Sequence, residues 1–388
     1  MEHIHLRPGA EKRLLQGHCW VFSNEVADDL KEYEPGSWVQ IFSSKGTALG
    51  SGYVNPRSLI AVRLVCPPGV NPDRSFFLTL LRRAAQYRQR AYPGSRCHRL
   101  VYGEADGLPG LVVDRYEDTL VYQITTLGMA RLEPLLQEIL LEEFNPQALV
   151  YRHDTKVREL EGLDQTTGVA HGQVPPQLWV EIDGLGFCVD PLAGQKTGMY
   201  LDQRDNRRAL AKWVAGRRVL DLFCYDGGWS LVAARSGASE VVGVDRSAGA
   251  LQRARLNAQQ NRLDGPCQFH QADALAFLKE VPRQSFDVVI VDPPAFAKTR
   301  KALPEAQKGY IDLNRRALLA LSAGGLLVSC SCSHHVGEDL FQALLLRAAQ
   351  ASGRRLRLLE ARGQALDHPI LLAMPEMRYL KCAVLDVI

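Results

Sequence analysis

Four short apolar runs in the second half of the chain each close on an acidic residue. They are Arg218-Val219-Leu220-Asp221, Val241-Val242-Gly243-Val244-Asp245, Gln268-Phe269-His270-Gln271-Ala272-Asp273 and Val288-Val289-Ile290-Val291-Asp292. A lone carboxylate at a strand end is well explained as a helix cap. Four in register predict one crevice beyond the carboxyl ends of parallel strands, where such sheets bind ligands. The turn after the first run, Phe223-Cys224-Tyr225-Asp226-Gly227-Gly228, has glycines that let backbone approach a ligand before the next helix begins. It is not the Gly-x-Gly-x-x-Gly fingerprint, which disfavours a nicotinamide dinucleotide. Asp245 could accept from both ribose hydroxyls, and Asp273 from an adenine amino group.

The fourth run continues as Asp292-Pro293-Pro294-Ala295-Phe296. Two prolines fix the backbone and remove two amide donors, which suits a rigid loop holding a planar base. Farther on, Gly324-Gly325 reads as a turn and Leu326 to Ser333 as a later strand. Cys330 and Cys332 share one face of it, with Cys332 nearer the crevice. A cysteine in a strand is usually a small buried hydrophobe, and that reading is applied to every cysteine except Cys332. His334 and His335 follow it without an apparent third metal ligand.

These residues need a scaffold. From about residue 185 strands alternate with helices, which predicts an α/β doubly wound, Rossmann-like sheet. Residues 1 to about 70 read as glycine-punctuated strands (Ser37–Phe42, Ala48–Tyr53, Leu59–Val65) and predict a small β-barrel. Residues 73–90 predict a helix capped by Asp73, with Phe76, Phe77, Leu80, Leu81, Ala84 and Tyr87 on its apolar stripe and Arg82, Arg83, Arg88 and Arg90 opposite. Residues 100–180 mix strands (Leu111–Asp114, Leu120–Thr125, Ala148–Tyr151) with a helix over Leu132–Phe144, a small central α+β unit.

Composition agrees with a soluble globular chain of 388 residues, 46% hydrophobic and 23% charged. No apolar run is long enough to span a membrane, and the N-terminus has no secretory pattern. Nine cysteines with no Cys-x-x-Cys pair argue against a disulfide framework or a zinc site and fit a cytoplasmic protein. Residues 1–100 carry 14 Lys/Arg against 8 Asp/Glu, while the rest of the chain has a small acidic excess. A basic N-terminal part fits a polyanionic partner or a solvated face equally.

Taken together, the chain resembles the large-subunit ribosomal RNA methyltransferase I family over nearly its whole length. Arg7-Pro8-Gly9, Gly17 to Glu25, Gly52 to Ser58 and Gly103 to Leu111 match the first half of that family. Gly194-Gln195-Lys196-Thr197-Gly198-Met199-Tyr200-Leu201-Asp202-Gln203-Arg204 is similar to its segment leading into the cofactor site. Asp221 to Ser230, Asp245, Asp273 and Asp292-Pro293-Pro294 match its cofactor and catalytic motifs, and Ser331-Cys332-Ser333 the motif of its nucleophile. The resemblance implies a PUA-like RNA-binding domain over 1–72, a central domain over 73–180 and an S-adenosylmethionine-dependent methyltransferase domain over 181–388. It implies 5-methylcytidine in 23S rRNA as the product. Gln195, Tyr200, Arg204, Asp221, Phe223, Tyr225, Gly227, Asp245, Asp273 and Asp292 become the cofactor-binding set. Ala295 departs from the lysine common in relatives, and the Pro-Cys found after the corresponding aspartate in many other RNA cytosine-5 methyltransferases is absent here, as is usual in this family.

Carbon 5 of cytosine is too weak a nucleophile to take a methyl group unaided, and a thiolate adding at carbon 6 activates it. Cys332 is the expected nucleophile and Asp292 the group at the base edge. Pro293 and Pro294 would border the base, and Phe296 and Tyr310 would stack on it. The base that removes the carbon-5 proton is unnamed, and no metal is required. RNA is the expected partner, no membrane partner is expected, and a homodimer is kept as a candidate assembly. Two alternatives stand: methylation elsewhere on RNA, such as guanine N7, which needs no cysteine, and a non-catalytic RNA-binding or ribosome-assembly factor.

Overall fold

The computed structural model describes residues 1–388 apart from Lys298. The chain divides into two compact units: Met1–Glu181 with Val189–Leu201 and Leu366–Met377, and Ile182–Cys188 with Asp202–Ala365 and Arg378–Ile388.

The first unit opens with strands β1 (Glu2–His5), β2 (Trp20–Val21), β3 (Trp38–Phe42), β4 (Ala48–Val54) and β5 (Val62–Cys66), with a short helix α1 (Glu11–Leu15) after β1. They form one sheet in the order β1-β3-β4-β5-β2. Alternate residues such as Val39 and Ile41 of β3 are buried with Ile4, Val54 and Val62 in its core, as period two requires. Helix α2 (Arg74–Ala91) begins where expected, with the Asp73 carboxylate accepting from the Phe76 amide at 2.9 Å.

Its buried residues are Phe77, Leu81, Ala84 and Arg88. Arg88 therefore lies on the apolar stripe and not on the basic face expected of it. Its guanidinium is fully buried and takes the Asp106 carboxylate with both terminal nitrogens, at 2.5 and 2.7 Å. Strands β6 (Cys97–Tyr102), β7 (Leu111–Tyr116) and β8 (Thr119–Ile124) follow, then helices α3 (Leu127–Arg131) and α4 (Glu133–Phe144), then β9 (Ala148–His153) and β10 (Thr166–Gly172). Their sheet order is β10-β9-β8-β7-β6. Glutamates of α4 neutralise more of α2: Arg74 pairs with Glu138 and Glu142, and Arg82 with Glu143.

Strands β11 (Leu178–Ile182) and β12 (Leu185–Val189) precede the seven-stranded sheet. The second unit contains helix α5 (Arg204–Leu210), β13 (Arg218–Leu222), α6 (Gly228–Arg235), β14 (Glu240–Asp245), α7 (Ala248–Gln260), β15 (Cys267–Gln271), α8 (Ala274–Glu280), β16 (Phe286–Val291), α9 (Leu303–Ala320), β17 (Leu321–Ser331), α10 (Glu338–Ser352), β18 (Leu356–Arg362) and β19 (Lys381–Val387). The seven strands run in the order β15-β14-β13-β16-β17-β19-β18. Pairings from β15 to β17 are parallel, and β19 is antiparallel to both its neighbours. The chain order reverses between β13 and β16, the switch point where open sheets of this kind bind ligands. Gly324-Gly325 lies within β17, where the pairing with β16 skips residues, so the expected turn is an irregularity inside a strand. Among the described residues no helix is long and apolar enough to cross a membrane.

Candidate active site

The four carboxylates do sit at or near the carboxyl ends of neighbouring strands, but they are not equivalent. Asp221 lies inside β13 and is wholly buried; its Oδ2 accepts from the Ser230 amide at 3.0 Å and the Ser230 hydroxyl at 2.6 Å. Burial pushes its carboxyl up to about 7. Asp245 ends β14 and accepts from the Tyr225 amide at 3.0 Å and the Ser247 amide at 2.8 Å. These bonds tie the glycine turn to the second strand and leave carboxylate lone pairs for other donors. Asp273 is exposed and caps α8 through the Ala276 amide, so the cap reading describes one of its oxygens. Asp292 follows β16 and is held from two sides. Gln203 Nε2 is 3.0 Å from both carboxylate oxygens, and Trp229 Nε1 is 3.0 Å from Oδ2.

The turn between β13 and α6 is backbone in an uncommon shape. Phe223 and Tyr225 have φ of 64° and 51°, and Gly227 has φ of 83°. Such left-handed side-chain-bearing residues persist where the surroundings hold them, often at functional sites. Gly228 starts α6 and has no room for a side chain: a Cβ there would lie 2.5 Å from the guanidinium carbon of Arg207.

Arg207 carries no signal of its own in the sequence. It sits one helical turn after Arg204, is buried, and its Nε has no acceptor among the described residues. Two nearby buried carboxylates, Asp221 and Asp226, each carry an Oδ1 without a partner among the described residues, and both interact electrostatically with Arg207. Buried polar atoms left over around a glycine turn are unusual, because native interiors satisfy such groups. Arg204, expected in the cofactor set, pairs with Asp183, with Nε at 3.1 Å and Nη2 at 2.5 Å from Oδ1. Gln195 and Tyr200 belong to the first unit, where the Tyr200 hydroxyl donates to Gln195 Oε1.

At the end of β17, Cys330 is fully buried and faces Cys382 of β19. Cys332, just past the strand, is half-buried, and its Sγ lies 3.9 Å from the Pro293 carbonyl oxygen. The flanking Ser331 and Ser333 hydroxyls both contact the Tyr310 hydroxyl, at 2.9 and 3.1 Å. Tyr310 is itself fully buried, its ring 4.8 Å from that of Phe296 and 6.0 Å from that of Phe341. It offers no free face to a base; it fixes the turn carrying Cys332. Phe296 is partly exposed, Pro294 exposed and Pro293 buried.

A β-strand end with a polar glycine turn, an acidic second strand end and a half-buried thiol beside a proline loop can bind a charged nucleoside and present a nucleophile. The sequence model of the S-adenosylmethionine-dependent methyltransferase family matches residues 169–365, and that of a PUA-like domain residues 4–67. Relatives called ribosomal RNA large subunit methyltransferase I are 41% identical over 390 residues in Photobacterium profundum, covering 97% of both chains, and 39% identical over 392 residues in Shewanella denitrificans, covering 99% of both. This chain belongs to the ribosomal RNA large subunit methyltransferase I family. Two solved structures share its fold over 100% of both chains. One is described as a methyltransferase from Streptococcus mutans (21% identity, TM-score 0.85), the other as a methyltransferase complexed with S-adenosylhomocysteine (20% identity, TM-score 0.86).

As a member of this family the chain is a methyltransferase dependent on S-adenosylmethionine. The residues present fit that molecule. Its methionine end carries an ammonium and a carboxylate, and the leftover polar atoms at the β13 turn are two buried carboxylates and a buried guanidinium. The amino end of α6, packed against Arg207, adds further positive potential for a carboxylate.

Proposed function

We propose that this chain methylates carbon 5 of a cytidine in large-subunit ribosomal RNA, with Cys332 as nucleophile. The observation that carries this reading is the position of Cys332, half-buried at the end of β17 and beside the Asp292-Pro293 loop, while Cys330 is sealed in the sheet. The names of the relatives support ribosomal RNA as the substrate. The PUA-like match and the basic excess of residues 1–100 support RNA binding by the N-terminal part.

In this reading residues 1–72 and 73–180 engage RNA and 181–388 carry the chemistry. Asp245 takes the ribose hydroxyls of the donor, Asp273 its adenine amino group, and Arg207 with Asp221 its methionine end. The bound donor supplies an electrophilic methyl group. Sγ of Cys332 bonds to carbon 6, and the electron pair of the carbon 5–carbon 6 double bond becomes available at carbon 5 for the methyl group. Asp292, held by Gln203 and Trp229, contacts the base edge, and Phe296 packs against the base. With S-adenosylhomocysteine left as the spent donor, a base takes the carbon-5 proton, whose bonding pair restores the double bond as the sulfur–carbon bond breaks and returns the thiolate.

The test is mapping of 5-methylcytidine in 23S rRNA with and without this protein. One site should depend on it; an unchanged map would refute the product. RNA with 5-fluorocytidine at that site should trap the enzyme, because fluorine cannot leave as a cation. The adduct should map to the peptide containing Cys332 and be absent in Cys332→Ala. Full methylation by Cys332→Ala would overturn the covalent route.

A further inference from the structure

The register of β19 against β17 places Lys381 directly opposite Ser331, the residue before Cys332. Lys381 is buried, with 6% of its surface exposed. Its Nζ donates to the Ser333 carbonyl at 2.7 Å and to the Tyr379 carbonyl at 2.7 Å. Cys332 thus sits in a turn pinned from both sides, by Tyr310 through the serine hydroxyls and by Lys381 through the backbone.

A lysine is rarely buried without a carboxylate partner. Among the described residues Lys381 forms no salt bridge. The negative groups that act on it are the Cys332 thiolate and, more weakly, Glu338 of α10. Burial outweighs them and brings the ammonium down to about 8. The other titratable groups around the pair are His334, which burial and Lys381 hold below its usual range, and Tyr310 and Asp292. The ammonium donates to both carbonyls and keeps a third N–H.

We propose that Lys381 is the positioning residue of Cys332: it anchors the turn that carries the thiol, and its ammonium favours the thiolate that bonds to the base. This rests on the reading of Cys332 as nucleophile. The ammonium stabilises the thiolate before the sulfur–carbon 6 bond forms, as a nearby positive charge does. When that bond breaks, the sulfur departs as a thiolate facing an ammonium.

The test titrates Cys332 in the full chain, by iodoacetamide labelling read by peptide mass as pH is varied, in wild type, Lys381→Met and Lys381→Arg. Wild type should label with a midpoint below the ~8.5 of a free thiol. Lys381→Met should raise the midpoint by about one unit and slow labelling at neutral pH about tenfold. Lys381→Arg keeps the charge and should label at or below the wild-type midpoint. An unchanged midpoint in Lys381→Met overturns the proposal. If Lys381→Met fails to bind S-adenosylhomocysteine and is judged misfolded, Lys381→Arg decides, and a midpoint above wild type overturns it. RNA methylation by Cys332→Ala separates the two ideas. An active Cys332→Ala sinks the nucleophile reading, whereas an inactive one beside a Lys381→Met of wild-type midpoint sinks only the role of Lys381.

Discussion

The indole of Trp229, in the first turn of α6, donates to Oδ2 of Asp292 at 3.0 Å and so ties the glycine turn after β13 to the loop after β16. Gln203 Nε2 holds the same carboxylate from a second direction. A carboxylate held by two neutral donors from two directions keeps its orientation. Trp229→Phe keeps the ring and removes the donor. Hydrogen bonds to charged groups are worth about 1.5–3 kcal/mol, so single-turnover methyl transfer should fall roughly tenfold or more. S-adenosylhomocysteine affinity should stay within about threefold, because the missing bond is at the base edge and the groups that hold the donor remain. Equal loss in both measurements would show that Trp229 serves the cofactor instead.

Arg207 supplies a prediction that can be read without any RNA. If its guanidinium meets the methionine carboxylate, Arg207→Met should weaken S-adenosylhomocysteine binding by about one to two decades. Methylthioadenosine, which lacks the amino-acid end, should bind both proteins alike. Asp245→Ala should do the reverse in pattern, weakening both ligands, because both carry the ribose. Calorimetric titration of the two ligands against the two variants decides the assignment, and parallel losses for Arg207→Met would remove it from the carboxylate.

Asp221 makes the ligand-free protein sensitive to pH. Its folded carboxyl is raised to about 7 by burial, against roughly 4 in an unfolded chain. The folded state therefore binds the proton more tightly. The contribution to stability is full below about pH 4 and is lost as pH rises through about 7. Asp221→Asn removes this dependence, so it should raise the melting temperature relative to wild type at pH 8 and lose that advantage at pH 4. A difference that is the same at both pH values would show that Asp221 is ionised across the range in the folded state.

The parallel strands were readable because each is an apolar run with a polar stop, and β13, β14 and β16 lie within a residue or two of those runs. Strand β6 escaped because Cys97-His98-Arg99 has no apolar alternation; Arg99 is buried against Asp114, with both bonds at 2.8 Å, and hydropathy cannot register such a pair. The thiol and the aspartates were visible as residue types at strand ends. Arg207, Gln203, Trp229 and Lys381 were not, since their roles come from what surrounds them. Tyr310 was misplaced for the same reason: an aromatic near a proline loop suggests stacking, and only the fold shows its hydroxyl between Ser331 and Ser333. Arg88 is different, because its spacing from Leu81 and Ala84 put it on the buried face and the signal was in the sequence.

That position of Arg88 separates two effects that a basic helix would otherwise merge. Arg88→Ala leaves Asp106 without its bidentate partner in a nearly closed site, and breaking a buried pair costs about 3–5 kcal/mol. The variant should unfold at clearly lower denaturant, with any loss of RNA affinity following from that. Arg83 and Arg90 are exposed and form no ion pair among the described residues, whereas Arg74 and Arg82 are already paired with glutamates of α4. If α2 meets phosphates, Arg83 and Arg90 do so. Arg83→Ala with Arg90→Ala should leave stability within about 0.5 kcal/mol, as for ordinary surface changes. Each phosphate left without its arginine should reduce the slope of log affinity against log salt by about 0.7 on single-stranded RNA. Binding of a 23S fragment measured over a salt series reads this directly. An unchanged slope in the double variant would take α2 out of the RNA interface and leave the five-stranded sheet of residues 2–66 to carry it.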